Sequence, residues 1–342
     1  MQAQRCLGLE VRWQCATAQL PWIGDQRACR QLLQAGPPDL VQVHGLWQFP
    51  TRMALLLERE LPVLITPHGM LDPWALARSR WKKAPVWTLW ERSVLAGARC
   101  LQALSAGEAR TIRSRGLRAP VAVIPNGATL PDPAAPLPPP PWSGRIPPGE
   151  KVLLFLGRFH PKKGLEPLLA AWRALAPDPL ARGWWLALVG PRQPGHPRAG
   201  HHLPGGGVPR ERVLVLDPCD GAGKDACLAS AHAFVLPSFS EGLPMAALEA
   251  MSWRLPCLLS PACNLPEAYT AGAALPVDPT AASLATGLRA LMGLSAAERQ
   301  AMGRAGRALV AERFTWPRVA RQTRQLYEWL LGGGEAPDFV EP

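Results

Sequence analysis

Short apolar runs rich in Val, Leu and Ile alternate along the chain with longer segments in which apolar residues recur at helical spacing. Such short runs are typical of strands that are buried on both faces of a parallel sheet. The sequence predicts strands at residues 40–43, 63–66, 152–156, 185–189, 213–216, 233–236 and 257–260. Because strands and helices alternate, we predict an α/β protein with parallel sheets.

A proline-rich stretch divides the chain. Residues 131–150 read PDPAAPLPPPPWSGRIPPGE, and proline fits neither a helix interior nor a central strand. We therefore predict an N-terminal domain over 1–130, a linker over 131–150 and a C-terminal domain over 151–316. A last helix over 317–331 and a frayed tail over 332–342 would follow. Residues 191–212 are too rich in glycine and proline for a helix, so we predict a loop there.

Composition narrows the class of protein. With 342 residues, 48% of them hydrophobic and 18% charged, the chain is globular rather than disordered. Its 8 cysteines form no CxxC pair and no metal-ligand spacing, which indicates reduced thiols. No apolar run approaches the length of a membrane span, so we expect a cytoplasmic protein. The net charge of +11 predicts anionic partners.

Polar side chains follow several of the predicted strands. Ligands of open parallel sheets bind beyond the carboxyl ends of the strands, which makes these positions candidate site residues. His44 follows the strand at 40–43, and His68 follows the strand at 63–66 within a tight Pro-His-Gly turn. A histidine in such a place is also often an ordinary loop residue bonded to backbone.

The segment GRFHPKKG follows the strand at 152–156. Gly157 and Gly164 bracket Arg158 and Lys163 where the strand passes to a helix, a place where backbone and cations converge on phosphate. The alternative is a solvated charged loop.

The segment SEGLPMAALEAM follows the strand at 233–236. Pro244 suits the first turn of a helix, so we predict a helix over 243–252 whose N-terminus, next to Gly242, binds phosphate. Glu241 precedes this helix and Glu249 lies inside it; an acid before a helix can also serve only as a cap. Eight residues of helix separate the two by about 12 Å, too far for the two carboxylates of a glycosidase.

At these residues the sequence resembles the family 4, or group 1, retaining glycosyltransferases, which include bacterial polysaccharide and phosphatidylinositol mannosyltransferases. The resemblance extends over about 40–331 and rests on EGLPMAALE, GRFHPKKG, LSAGE at 104–108 and IPNG at 124–127. VHGLW and TPHGMLDPWAL resemble the part of the family devoted to cell-surface polysaccharides. The resemblance implies two facing Rossmann-like domains, the glycosyltransferase B fold.

The resemblance also implies an activity and the roles of residues. A hexosyl group would pass from a nucleoside-diphosphate sugar to a polysaccharide or lipid-linked acceptor, with retention, without a metal ion and with no nucleic-acid partner. The implied catalytic residues are His68 and Glu241. The implied substrate-binding residues are Arg158 and Lys163 on the diphosphate, Glu249 on the ribose, and Gly242, Leu243 and His44.

The chain departs from the family at three places. The family begins with a strand and a glycine-rich loop, whereas 39 residues precede the strand at 40 and none reads as that loop. We therefore expect the N-terminal domain to lack its first strand. Arg254 stands where the family usually has glycine, at a left-handed helix end that costs another residue about 1 kcal/mol. The third departure is the weak helix signal over 191–212.

A basic stretch, RSRWKKAPVWTLW at 78–90, has no role in the transfer itself. Pro85 predicts a helix that begins there and runs to about residue 97, with Trp87, Trp90 and Val94 on one apolar face. The basic residues gathered before that helix are Arg78, Arg80, Lys82 and Lys83. We expect them to bind an anionic membrane surface or a lipid-diphosphate acceptor; an ordinary solvated loop is the alternative.

Two other functions remain open at this point. One is an epimerase or phosphorylase of the same architecture, and the other is a catalytically silent protein that binds sugar nucleotides or membranes. The paired glutamates together with GRFHPKKG favour the transferase. No GxGxxG follows a strand and no GxxxxGK[ST] occurs, which argues against a nicotinamide enzyme and a P-loop nucleotidase.

Overall fold

The computed structural model describes residues 2–6, 9–13, 38–57, 61–191 and 212–342. The chain divides into two compact units. Unit 1 comprises Met1–Ile124 with Thr323–Pro342, and unit 2 comprises Pro125–Gln322. Each unit is an α/β domain built on its own sheet of mainly parallel strands, as the alternating pattern predicts.

Unit 1 contains a five-stranded sheet in the order β13-β6-β5-β4-β3. Its strands are β3 (Val41–His44), β4 (Val63–Thr66), β5 (Cys100–Ala103), β6 (Val121–Val123) and β13 (Val340–Glu341). The first four are parallel, and β13 pairs antiparallel with β6. Two further strands, β1 (Gln2–Cys6) and β2 (Leu9–Trp13), form a separate antiparallel pair. Among the described strands, β3 is therefore an edge of the unit 1 sheet.

The helices of unit 1 cover this sheet. They are α1 (Phe49–Leu57), α2 (Pro73–Ala77), α3 (Arg80–Val86), α4 (Arg92–Gly97) and α5 (Ala106–Arg113), with a π-helical turn at Trp87–Glu91. Val94 and Leu95 are fully buried against Ile65 and Leu101, so α4 packs on the middle of the sheet. The predicted helix start at Pro85 is wrong. Helical structure begins at Arg80, and Pro85 lies inside α3.

Unit 2 contains a six-stranded parallel sheet in the order β12-β11-β10-β7-β8-β9. Its strands are β7 (Lys151–Leu156), β8 (Trp184–Val189), β9 (Val213–Leu216), β10 (Ala233–Leu236), β11 (Cys257–Leu259) and β12 (Ala274–Pro276). Five of them match predicted strands to within one residue at each end. Almost every residue of β7, β8 and β10 is buried, which explains their continuous apolar runs.

The helices of unit 2 follow the strands in turn. They are α6 (Leu165–Ala174), α7 (Gly221–Ser230), α8 (Met245–Ser252), α9 (Pro266–Thr270), α10 (Ala281–Gly293), α11 (Ala296–Arg313) and α12 (Trp316–Leu330), the last of which ends in unit 1. The helix predicted at 243–252 begins two residues later, at Met245, and Pro244 is its N-cap residue. Residues 131–150 contain neither helix nor strand. Most of the predicted loop over 191–212 lies outside the described residues.

Arg254 ends α8 in the left-handed conformation that the sequence predicted, with φ of 61°. The backbone of α11 packs directly against this turn, because a Cβ atom at Gly303 would lie 1.9 Å from the Arg254 carbonyl oxygen. The turn is therefore held by helix packing although the residue is not glycine.

The end of the chain is ordered, so the prediction of a frayed tail over 332–342 is wrong. Val340–Glu341 adds a strand to the unit 1 sheet. The Arg113 guanidinium donates to the carbonyl oxygens of Glu341 and Pro342 at 3.1 and 2.6 Å. In α12, the Tyr327 hydroxyl donates to Gln42, which in turn donates to Gln102 at 3.0 Å. The last part of the chain thus contributes to unit 1 both a strand and the hydroxyl of Tyr327, which joins a hydrogen-bond network with Gln42 and Gln102.

Candidate active site

In unit 2, the loops that follow β7 and β10 are in contact through their backbones. Gly164 has φ of 68°, and a Cβ atom there would lie 2.0 Å from the Pro237 carbonyl oxygen. The Phe239 N–H donates to the Lys162 carbonyl oxygen at 2.8 Å. Only glycine permits this approach at a positive φ. The contact places Lys163 beside the segment that carries Glu241.

Glu241 is the centre of this cluster. Its side chain is 9% exposed, and the Lys163 ammonium donates to its Oε1 at 2.6 Å. The Ser238 hydroxyl donates to the same oxygen, also at 2.6 Å. Within the described residues, the second oxygen, Oε2, has no hydrogen-bond partner. A buried carboxylate is therefore fixed through one oxygen and keeps the other for a ligand.

The backbone of Glu241 is held as firmly as its side chain. Its N–H donates to the Ala262 carbonyl oxygen at 2.9 Å, and its own carbonyl accepts the Asn264 side-chain amide at 2.6 Å. Asn264 follows β11 and has φ of 55°, a left-handed conformation that asparagine tolerates. Loops after three neighbouring strands thus fix the position of a single carboxylate.

The segment after Glu241 leads into the N-terminus of α8. In the part of the chain that the structure describes, the N–H groups of Gly242 and Leu243 find no acceptor. Pro244 has no N–H, and the first helical donors beyond it lie at the positive end of the α8 dipole. Among the described residues, these groups are unpaired backbone donors at a helix N-terminus, an arrangement that favours anions in proteins generally.

Glu249, inside α8, is bound to a different cation. Lys224 of α7 donates to its Oε1 at 2.7 Å. The two glutamates thus lie in separate ion pairs. Arg158 is exposed in the loop after β7, and no acidic partner is found for it among the described residues.

In unit 1, His44 and His68 are hydrogen-bonded to each other. His44 Nδ1 and His68 Nε2 lie 2.9 Å apart, and the two rings meet edge to edge, with centroids 5.1 Å apart and planes inclined by 26°. Burial lowers the pKa of both imidazoles, and that of His68 falls to about 4 because the neighbouring His44 adds to the effect. Both rings are therefore neutral at physiological pH.

Glu108 holds the turn that contains His68. The residue is 3% exposed, and its carboxylate accepts the Gly69 N–H through Oε1 and the Leu104 N–H, at 2.8 Å, through Oε2. The adjacent His68 has φ of 55°, which is uncommon for a residue with a side chain. Glu108 of LSAGE thus joins the loop after β4 to the loop after β5.

A second buried glutamate, Glu91, supports the loop after β3. It lies in the π-helical turn, is fully buried, and accepts the Trp47 N–H at 2.9 Å. Its other oxygen lies 3.0 Å from the Thr51 hydroxyl, which itself donates to the Gln48 carbonyl oxygen at 2.7 Å. Burial raises the pKa of the Glu91 carboxyl. The Thr51 hydroxyl is thus shared between the Gln48 carbonyl and the Glu91 carboxyl, and Glu91 ties the π-helical turn to the loop after β3.

The basic stretch occupies α3 rather than a loop in front of a helix. Arg80, Lys82 and Lys83 lie inside α3, and Arg78 precedes it. Trp81 and Leu89 are 75% and 71% exposed, whereas Trp87, Trp90 and Val94 pack against the core of unit 1. The helical stretch therefore buries the face that carries Trp87 and Trp90, and its exposed apolar side chains are Trp81 and Leu89.

Within these units the structure brings together most of the predicted site residues. Lys163, Glu241, Gly242 and Leu243 form one cluster in unit 2, and His44 and His68 form another in unit 1. Sequence reasoning missed Asn264, Lys224 and Glu108. Asn264 follows β11, so the rule for strand ends would have found it, and Glu108 lies in LSAGE, which the resemblance already contained.

Two sequence families match the chain. Residues 141–309 match the family described as glycosyl transferases group 1, and residues 4–127 match a glycosyl transferase 4-like domain. The O-antigen chain mannosyltransferase B of Escherichia coli is 29% identical over 186 residues, which cover 52% of this chain and 45% of that relative. The chain thus matches less than half the length of this curated relative.

Solved structures show the same fold at low identity. The sucrose-phosphate synthase of Thermosynechococcus elongatus has a TM-score of 0.72 at 22% identity, over 90% of this chain and 77% of that one. Anabaena HepE, in complex with UDP and glucose, has a TM-score of 0.66 at 17% identity, over 89% and 81%. An α,α-trehalose-phosphate synthase from Burkholderia vietnamiensis has a TM-score of 0.68 at 18% identity, over 90% and 74%. The fold is therefore the glycosyltransferase B fold.

Proposed function

Because this chain belongs to the family 4, group 1 glycosyltransferases, we propose that it transfers a hexosyl group from a nucleoside-diphosphate sugar, with retention, to a cell-surface polysaccharide or lipid-linked acceptor. The observation that carries the proposal is the Glu241 cluster. It combines a fixed carboxylate whose Oε2 is unoccupied among the described residues with backbone donors at Gly242 and Leu243. Such a carboxylate suits a sugar hydroxyl, and such donors suit a phosphate.

In the proposed transfer, negative charge develops on the diphosphate beside positively charged groups of unit 2. As the bond from the anomeric carbon to phosphate breaks, negative charge grows on the leaving diphosphate. Lys163, Arg158 and the N-terminus of α8 stabilise that charge, and they are positioned before the reaction begins. Glu241 accepts a hydroxyl of the transferred sugar, and Glu249 accepts the ribose hydroxyls. The two lysines that pair with these glutamates orient both carboxylates.

The same positive groups support transfer without a metal ion. A diphosphate needs countercharge, which many enzymes draw from a divalent cation. Here Arg158 and Lys163 supply two positive charges from one loop, and the helix N-terminus adds a partial charge. We therefore propose that the donor sugar nucleotide binds and reacts in the presence of a chelator.

Replacing Arg158 or Lys163 with Ala is expected to weaken nucleoside-diphosphate binding. The loss should be about 1.5–3 kcal/mol, the range for hydrogen bonds to charged groups. The measurement is calorimetry with UDP, GDP and ADP in EDTA, after a screen of UDP-, GDP- and ADP-sugars for transfer to a labelled lipid-linked acceptor. Arg304→Ala, which removes an exposed arginine from α11, is the matched control.

The diphosphate assignment of this loop is overturned if both variants bind the nucleotide as tightly as the parent does. Transfer that disappears in EDTA and returns with a divalent cation would overturn metal independence. Hydrolysis of the sugar nucleotide without transfer to any acceptor would contradict the transferase function itself.

We further propose that α3 attaches the protein to an anionic bilayer. Arg80 and Lys82 are exposed, Lys82 lies 4.9 Å from the Trp81 ring, and Trp81 and Leu89 present apolar side chains beside these charges. Each basic residue near an acidic membrane contributes about 1 kcal/mol, and the indole is suited to the interface. Lys83 also donates to the Ala75 carbonyl oxygen, and the Arg78 guanidinium lies 5.8 Å from the Trp74 ring. No helix in the described part of the chain has the length and apolarity to cross a bilayer.

Vesicle flotation is expected to depend on this surface. The parent should float with anionic vesicles and not with zwitterionic ones. Arg80→Glu combined with Lys82→Glu, and separately Trp81→Ser combined with Leu89→Ser, should each abolish flotation. Arg304→Glu combined with Arg318→Glu makes the same change in net charge on exposed residues of α11 and α12, and this control should float. Flotation of the Arg80/Lys82 variant at the parent's level would show that α3 is not the membrane contact.

A further inference from the structure

The pair formed by His44 and His68 places two ring nitrogens in one hydrogen bond. His44 ends β3 and is paired in the sheet with Thr66, two residues before His68. His44 Nδ1 and His68 Nε2 lie 2.9 Å apart, the distance of a nitrogen-to-nitrogen hydrogen bond. The nitrogens left for any ligand are therefore His68 Nδ1 and His44 Nε2.

One proton lies between the two rings. The nitrogen to which it is bonded decides whether His68 acts as a hydrogen-bond donor or as an acceptor toward a ligand. A neutral imidazole carries one N–H and one bare nitrogen. If His44 donates, His68 must carry its own proton on Nδ1 and is a donor to the ligand. If His68 donates, its Nδ1 is bare and is an acceptor.

The tautomer preference of neutral imidazole and the access of water to His44 favour His68 as the donor. Neutral imidazoles favour the proton on Nε2, and in this arrangement both rings carry it there. His44 is only partly buried and keeps some of its surface exposed to solvent, so water can accept its Nε2–H. The opposite arrangement puts both rings in the less favoured form.

We propose that His44 is a positioning residue that accepts the Nε2–H of His68, so that His68 presents a bare Nδ1 as hydrogen-bond acceptor to a hydroxyl of the substrate. This rests on the proposed glycosyltransferase function. It gives His44 a role through His68 in place of the direct substrate contact that the sequence suggested. It also makes His68 a neutral hydrogen-bond acceptor and not a cation.

The backbone around His68 explains why its ring requires a partner. The residue adopts φ of 55°, and the adjacent Gly69 N–H is fixed by Glu108. These contacts hold the main chain but leave rotation about the side-chain bonds. Among the described residues, His44 is the hydrogen-bond partner of the His68 ring, and the two ring planes are inclined by only 26°.

The proton assignment is tested by NMR on the full chain labelled with ¹⁵N-histidine, with His68 assigned by the loss of its signals in His68→Gln. We expect the Nε2–H tautomer for both rings in the parent. A His68 ring with its proton on Nδ1 overturns the proposal. This readout needs no substrate, so it stands apart from any failure of the transferase assay.

The positioning role is tested by two substitutions of His44. Asn places an amide oxygen near the original Nδ1 and should preserve the tautomer of His68. Leu matches Asn in size and removes the acceptor, so His68 should become a mixture of tautomers and kcat should fall about tenfold with KM little changed. His44→Asn should lose less kcat than His44→Leu. Equal kcat in the Leu variant and the parent, or equal losses in both variants, would overturn the role of the hydrogen bond.

Discussion

Replacing Glu241 with Ala is expected to lower turnover by about 100- to 1,000-fold, the effect of removing one preorganised polar contact in a transition state. The carboxylate is buried and is fixed through Oε1 by Lys163 and Ser238, so it needs no reorganisation when the sugar binds. Nucleoside-diphosphate affinity should not fall. Lys163 loses its counter-ion in this variant and becomes fully available to phosphate.

Two measurements separate these effects, namely single-turnover transfer from the sugar nucleotide and calorimetry with the product nucleotide. Glu241→Gln keeps the shape of the side chain and should retain more activity than Glu241→Ala. Glu166→Ala, at an exposed position in the first turn of α6, is the control and should behave as the parent does. Parent-like turnover in Glu241→Ala would refute the assignment, and a parallel loss of turnover and nucleotide affinity would indicate a structural role instead.

Glu108→Ala is expected to destabilise unit 1 by about 2–6 kcal/mol. The substitution leaves the buried N–H groups of Gly69 and Leu104 without an acceptor, and each unsatisfied buried group costs about 1–3 kcal/mol. It also frees the turn that holds His68. The measurement is hydrogen exchange followed by mass spectrometry on the peptides that contain Gly69 and Leu104, which should exchange faster, together with the unfolding temperature.

The effect of Glu108→Ala should be confined to unit 1. Nucleoside-diphosphate binding, which we assign to unit 2, should be close to that of the parent. Glu108→Gln keeps one carbonyl oxygen and should be intermediate in stability, because one N–H would then face the amide NH₂ group. Unchanged exchange at Gly69 in Glu108→Ala would contradict the supporting role of this carboxylate.

The strands of unit 2 were predictable because their apolar runs are long and continuous. Residues 152–156 and 233–236 lie in central strands buried on both faces, and the sequence placed them within one residue. The short strands Cys100–Ala103 and Val121–Val123 were not predicted. The first contains the polar Gln102 and the second has only three residues, so neither forms a continuous apolar run of the kind that marked the other strands.

The helix over 80–97 shows why the remaining elements were harder to predict. Pro85 suggested a first turn, yet the helix begins five residues earlier, at Arg80, with Ser79 as N-cap residue. Within α3 the proline removes only the donor that would reach the exposed Trp81. Packing of Val94 and Leu95 in the core stabilises the whole helical stretch, and such tertiary contacts are invisible to local propensity.

The candidate site likewise contains residues that the sequence could predict and contacts that it could not. Glu241 and Lys163 could be predicted because each follows a strand within a segment of distinctive composition. Their ion pair could not, because it depends on how closely Gly164 approaches Pro237. The hydrogen bond between the two histidines depends likewise on the parallel register of β3 and β4, which places His44 opposite Thr66.

The strand at Val340–Glu341 sets an order for folding during synthesis. A ribosome makes residues 125–322, which form all of unit 2, before it reaches Tyr327, Val340 and Glu341. Until then β6 is an unpaired sheet edge, and Gln42 lacks the Tyr327 hydroxyl as donor. Unit 2 can therefore complete its fold first. Unit 1 is made earlier but is complete only after Val340–Glu341 has been synthesised.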